Sequence, residues 1–131
     1  MSLDGWRQIV LMALLITLAV AACGQPPEAG VVVFGIALAG PVCPVETNPP
    51  DPSCSPRPVG DATVLAVSDS GKVVESRTGA NGRFSFVLAP GRYEINAQPV
   101  EGLMGAPQPV DVEVLAEQVD LGVLMYDTGI R

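Results

Sequence analysis

The stretch Thr78-Gly79-Ala80-Asn81-Gly82-Arg83-Phe84-Ser85-Phe86-Val87-Leu88-Ala89-Pro90-Gly91-Arg92-Tyr93 decides the fold class. Two turn signals, Gly79-Ala80-Asn81-Gly82 and Ala89-Pro90-Gly91, bracket six residues in which Phe84, Phe86 and Leu88 occupy every second position. Side chains alternate across an extended strand, so these three share one face and belong in a core. After the second turn, Tyr93, Ile95 and Ala97 alternate with Glu94 and Asn96, which predicts another strand of the same kind.

Working outward, the same period recurs between Gly, Pro and Asn signals roughly every 8 to 12 residues, and no helical period is sustained. Val31 to Leu38 and Ala62 to Val67 are near-continuous apolar runs, which predict strands buried on both faces. Asp69-Ser70-Gly71 turns the second run into Lys72 to Thr78, making a hairpin. Val110, Val112 and Val114 pattern a further strand, and Val119, Leu121, Val123 and Met125 the last. The expectation is an all-β, seven-stranded antiparallel Greek-key β-sandwich following an N-terminal signal helix.

A chain of 131 residues leaves room for one such domain. Beyond residue 22 it carries thirteen acidic and six basic residues, the latter scattered. Nucleic acid demands a positive patch, so it is excluded as a partner. An anionic membrane would repel this surface, so membrane association requires an anchor. The chain has no histidine, which removes the commonest general base and the commonest metal ligand.

The N-terminus supplies a candidate anchor. Arg7 precedes an apolar or small stretch, Ile9 to Ala22, that ends in Leu18-Ala19-Val20-Ala21-Ala22-Cys23. A basic residue, a short apolar run and small residues before a cut make a signal peptide. Fourteen residues fall short of the roughly 20 that span a bilayer. The ending resembles the lipobox of bacterial lipoproteins, which implies that Cys23 is lipid-modified and becomes the first residue after cleavage. The alternatives are an ordinary secretory signal cut after Ala22, or an uncleaved anchor. The chain thus divides into a signal (1–22), Cys23 with a short tether (23–30), and the sandwich (31–131). The tether contains Pro26-Pro27 and reaches at most about 25 Å.

Two stretches fit no strand, and loops carry function disproportionately. Gly40 to Gly60 contains seven prolines together with Cys43 and Cys54. In an exported chain this pair predicts a disulfide rather than a metal site, since no histidine or further thiolate completes a zinc shell. Closing that loop stabilises the fold by roughly 3 kcal/mol in the chain-entropy model, less what the prolines already contribute. With these two paired, Cys23 is the unpaired third. The second stretch, Pro99 to Pro109, holds Leu103 and Met104. Either both tuck against the end of the sandwich, or they form an exposed apolar contact for a partner.

Gly60-Asp61-Ala62-Thr63-Val64, the Thr78 to Phe84 turn and Leu88-Ala89-Pro90-Gly91-Arg92-Tyr93 together resemble the carboxypeptidase regulatory-like domain, over about Val33 to Tyr126. The resemblance implies a transthyretin-like (prealbumin-like) β-sandwich. Gly40-Pro41-Val42-Cys43-Pro44-Val45-Glu46 and the closing Asp127-Thr128-Gly129-Ile130-Arg131 are similar to a bacterial exported subgroup with no assigned activity. Asn81 stands where that family more often has aspartate, and both tolerate left-handed turn geometry. Nothing in the chain corresponds to a catalytic zinc site, so the fold does not imply peptidase activity.

The expected function is that of a noncatalytic binding or structural module, lipid-anchored on the exported side of a bacterial cell membrane or outer membrane, with no cofactor and no metal. Its partner would be an envelope protein or, alternatively, a glycan. Sugar sites favour aromatic platforms, whereas Phe84, Phe86 and Tyr93 read as core. A carboxylate enzyme is the weaker alternative. Asp127-Thr128-Gly129 resembles the triplet of aspartic proteases, which need two copies. Asp111 and Glu113 are spaced to face solvent together. Asp61, Asp69 and Glu75 lie on separate segments, which does not make a calcium loop. A lysine-asparagine cross-link finds only Lys72, and no asparagine in the last strand. Replacing Cys23→Ala is expected to release the protein from the membrane fraction, with intact mass reporting loss of the acyl chains. Wild-type protein recovered without lipid from medium or periplasm would refute the anchor.

Overall fold

The structure, a computed structural model, describes residues 30–131. The predicted signal, Cys23 and the tether up to residue 29 lie outside the described residues. Eight strands follow in order: β1 (Val31–Gly40), β2 (Arg57–Pro58), β3 (Thr63–Ser68), β4 (Val73–Arg77), β5 (Arg83–Leu88), β6 (Gly91–Ala97), β7 (Val110–Val114) and β8 (Val119–Asp127). In the first sheet β1 is central, with β8 on one edge and β5, then β2, on the other. The second sheet is antiparallel in the order β4-β3-β6-β7. The all-β sandwich predicted from the alternation is the fold observed.

Three expectations need correction. There are eight strands rather than seven. The additional one, β2, is a two-residue strand in the proline-rich loop that pairs with Leu38 and Ala39, too short to show a period. The sheets are also not antiparallel throughout, because β1 and β8 run parallel from Val33 opposite Val119 to Gly40 opposite Asp127. They are the first and last strands, so no tight turn forces them to oppose. Finally, neither apolar run is buried on both faces. Along β1, Val31, Val33, Ala37 and Ala39 point inward, while Val32, Phe34, Ile36 and Leu38 point outward and are half-buried or exposed. In β3, Val64 and Ala66 are inside, with Leu65 and Val67 half-buried outside. Among the described residues no α-helix covers the sheets, as helices would in a fold that buries strands on both sides.

The core forms where the inner faces meet. Phe84, Phe86 and Leu88 from β5 oppose Tyr93, Ile95 and Ala97 from β6, with Val64, Val114, Leu124 and fully buried Tyr126 closing the layer. Phe84 and Phe86 meet edge to face with ring centroids 6.0 Å apart, a favoured aromatic geometry. Gly35 interrupts the valine-rich run of β1 because the Phe84 ring lies across it: a Cβ there would approach Phe84 Cζ to 2.8 Å. The turn ahead of β5 is tied by Gly82 N–H donating to Gly79 O (2.9 Å) and Arg83 N–H donating to Asn81 Oδ1 (3.0 Å). Asn81 supplies the same acceptor that an aspartate would.

Strand direction gives the sandwich two distinct ends. The proximal end holds Val31, the hairpin turn 69–72, residues 89–90 and loop 115–118. The distal end holds 41–56, 59–62, 78–82, 98–109 and 128–131. The ten residues of β1 separate the two by about 30 Å. Among the described residues no helix is long and apolar enough to cross a membrane. Gly82 has φ +78°, and a Cβ there would collide with the Ala37 carbonyl oxygen. Gly82→Ala is therefore expected to destabilise the domain by about 2 kcal/mol, lowering Tm by roughly 10 °C in thermal denaturation. Ala80→Ser in the same exposed turn should leave Tm unchanged.

Candidate functional site

The distal end gathers the two loops that fit no strand. β1 delivers the chain at Gly40 into residues 41–56, where Cys43 and Cys54 are joined by a disulfide with S–S 2.09 Å and Cα–Cα 5.3 Å. The predicted pairing is thus present. Next to it, Asp51 caps the single 3-10 turn, Pro52–Cys54, by accepting from Ser53 N–H (2.8 Å) and the Ser53 hydroxyl (2.7 Å). Those bonds hold the Asp51 carboxyl below its ordinary value. The loop is exposed, and Val45 is its apolar tip.

Residues 98–109 divide the Leu103-Met104 pair between its two predicted fates. Leu103 packs against the core, whereas Met104 is 76% exposed. The Met104 side chain lies over Gly129, where a Cβ would come within 2.7 Å of Sδ. The loop is held by backbone: Met104 N–H donates to Asp127 O (2.8 Å), and Asp127 N–H donates to Gly105 O (2.9 Å). The buried Tyr126 hydroxyl donates to Gln98 O at 2.8 Å, and desolvation raises its pKa.

The closing segment, Asp127 to Arg131, fastens both loops together. Thr128 N–H donates to Gly40 O (3.2 Å) and its hydroxyl to Pro41 O, reaching the disulfide loop. One residue earlier, Asp127 pairs with Gly105 of the other loop. The Asp127 carboxylate accepts from Gly129 N–H (2.8 Å) and receives both arms of the Arg131 guanidinium (2.9 and 3.3 Å). The Arg131 bonds first, then the Gly129 bond, hold the Asp127 carboxyl below its usual value. The visible signal for this clasp was the opposite charge at a spacing of four in Asp127 and Arg131. The sequence holds one Asp-Thr-Gly, and the structure occupies its carboxylate with Gly129 and Arg131.

The other groups singled out by the sequence fall into two separate places. Asp61 pairs with Arg77 at 2.6 Å on the surface, with Glu75 4.0 Å from the same guanidinium, and Asp69 lies at the proximal end. Lys72 sits in the proximal turn rather than in a strand, far from the distal Asn48 and Asn81. Asp111 and Glu113 do point outward together, and with Asp69, Arg92 and Glu94 they edge an open hollow of about 530 Å³ on the second sheet. Among the described residues no three His, Cys, Asp or Glu side chains are placed to hold a metal ion. The two carboxyls held low, Asp51 and Asp127, are shifted away from neutrality, opposite to what a general acid needs.

No family model matches the chain, and no curated protein matches it by sequence. Solved structures do match in shape. GBS52, the minor pilin of Streptococcus agalactiae, superposes with TM-score 0.55 at 9% identity over 76% of this chain and 45% of its own. The fimbrial protein FimP of Actinomyces oris gives 0.53 at 15% identity, over 80% and 31%. A DUF3823 family protein from Parabacteroides merdae gives 0.51 at 11% identity, over 76% and 46%. The chain spans less than half the length of each. At these identities the likeness is one of fold alone, and the class it shows is a two-sheet β-sandwich.

Because the folded-state pKa of Asp127 is lowered, its clasp is complete above the ordinary carboxylate value and is lost as pH falls through the lowered one. A carboxyl-carbon NMR titration should place the Asp127 midpoint below the ordinary aspartate value. Arg131→Ala should return it toward that value, and no change on that substitution would refute the pairing.

Proposed function

We propose that this chain is a bacterial envelope lipoprotein of the carboxypeptidase regulatory-like family, anchored through Cys23 on the exported side of the membrane. Its sandwich is a noncatalytic module that presents its distal end to a protein partner. The observation that carries the reading is the polarity of the fold. The chain enters at the proximal end through Gly30 and Val31, next to the tether, while the two long loops without strand character, 41–56 and 98–109, gather about 30 Å away. A disulfide, a carboxylate clasp and the Tyr126 hydrogen bond hold that end in shape before anything binds. Preorganised loops on a rigid scaffold are the usual way sandwich domains bind other molecules.

Val45 and Met104 are the exposed apolar side chains of these loops, and they suit a protein contact. The glycan alternative draws less support, because Phe84, Phe86, Tyr93 and Tyr126 are buried, and Phe34, the one outward aromatic among the described residues, is half-buried on the first sheet and away from the distal loops. Two of the proteins similar in shape are a minor pilin and a fimbrial protein, in keeping with a surface role. A photo-crosslinking residue in place of Val45 or Met104 in the full-length protein is expected to capture one envelope protein in cells. The same residue in place of Glu75, on the outer face of the second sheet, should capture none. Equal capture at both faces, or recognition confined to a glycan array, would refute the proposal.

A further inference from the structure

The two outer faces of the sandwich differ in charge. That of the second sheet carries Glu75, Glu94, Asp111 and Glu113 among two arginines, beside an apolar patch of Leu65, Val67 and Val73. That of the first sheet carries the outward row of β1, with Val87 opposite Val32, Val123 opposite Ile36 and Met125 opposite Leu38. Directly paired residues point to the same side, so these side chains form one continuous apolar surface. Val32 is 41% exposed, Val87 69%, Val123 51% and Met125 45%. An exposed apolar surface along the full length of a central strand is unusual for a solitary domain.

We infer that this face pairs with a second copy of the same chain, sheet against sheet, with the two-fold axis running along β1. Charge distribution supports a copy as the occupant. The chain has net charge −7, and two copies repel through every surface except one that excludes most of the acids. The outer face of the first sheet is that surface, because its strands contribute only Arg83, Asp120 and, at the distal margin, Asp127, whose charge is already paired with Arg131. Arg83, opposite Ile36 on β5, forms no ion pair among the described residues. Asp120 lies opposite Phe34 on β8, at the other edge of the apolar surface. An axis along β1 sets β5 of one copy over β8 of the other, so each Arg83 comes within side-chain reach of its mate's Asp120. An axis across the strands would instead stack β5 on β5 and Arg83 on Arg83.

The axis along β1 also places both proximal ends on one side, so both tethers meet one membrane. That orientation, though not the face itself, rests on anchoring at Cys23. The face measures about 30 by 15 Å, so pairing covers roughly 900 Å² in all, below the 1,200 Å² or more of stable specific interfaces. The pair is consequently weak for a free chain and favoured for two chains confined to one bilayer, where anchoring raises the effective concentration.

Disulfide trapping of the full-length, lipidated chain in vesicles of phosphatidylethanolamine and phosphatidylglycerol tests this. With Cys23 acylated and Cys43 bonded to Cys54, a cysteine introduced by Val32→Cys is the sole free thiol. It should give a covalent dimer at least tenfold faster than Glu94→Cys on the opposite face. Adding Ile36→Lys or Arg83→Asp to Val32→Cys should slow linkage, and adding Asp120→Arg to the Arg83→Asp variant should restore it. Linkage at Val32 no faster than at Glu94 overturns the proposal. So does release of the unlinked chain from vesicles by Ile36→Lys, which would assign the face to lipid. The assay repeated on concentrated unlipidated chain, with Cys23→Ala so that the introduced thiol is again the only free one, separates the two readings. If only the anchor is wrong, vesicles bring no advantage and the preference for Val32 over Glu94 persists. If the face is wrong, the preference is absent in both.

Discussion

Everything in this sandwich hangs on β1 being hydrogen-bonded along both edges. It takes β8 in parallel on one side and β5, then β2, in antiparallel on the other. A strand so enclosed has no free edge, and its inward side chains, Val33 and Ala37, are completely removed from water. The parallel pair joins the beginning of the domain to its end, so the last strand cannot leave without exposing the backbone of the first. The bulge where Phe34 gives way to Ile36 adapts β8 to that pairing. Gly122 adopts φ +70° and donates its N–H to Asp120 Oδ1 at 2.8 Å. The irregularity sits on an edge strand, where it also discourages a stray partner.

The same pairing defines the polarity on which the functional reading rests. Because β1 and β8 run in one direction, Gly40 and Asp127 finish side by side, and the loop after one can be tied to the segment after the other. Thr128 takes the disulfide loop through Gly40 and Pro41, and Asp127 takes the 98–109 loop through Met104 and Gly105. Antiparallel strands would have put these partners at opposite ends. The distal surface is thus held by three kinds of constraint: a covalent bond, backbone pairing and a charge-assisted fork between Asp127 and Arg131. All three act on exposed loops that have little apolar burial to hold them.

Charge and apolar surface are likewise partitioned by the sheets. Acidic residues concentrate on the outer face of the second sheet, where Glu94 and Asp111 are direct neighbours. Arg92 beside Glu113 offsets part of their repulsion. The outer face of the first sheet is apolar. This division follows from which residues of each strand fall on the even or odd side, so a one-residue slip in any strand would mix the two surfaces.

The sequence by itself determined the all-β class, seven of the eight strands to within two residues or so, the inward set on β5 and β6, and the Cys43–Cys54 pairing. Alternation and turn chemistry are local properties, and two cysteines in one proline-rich loop leave little choice. Only the tertiary structure decided the direction of β8, because a period of two is the same for parallel and antiparallel neighbours. It alone revealed β2, whose two residues carry no period. It decided the fate of the apolar runs, since continuous hydrophobicity states what a strand prefers and not what covers its second face. It separated Leu103 from Met104, adjacent residues that pass to opposite sides of a loop anchored by Asp127. The opposite charges of Asp127 and Arg131 were legible four residues apart, but the ties of this segment to Gly40 and Gly105 were not, because those residues meet it only when the first and last strands lie in parallel.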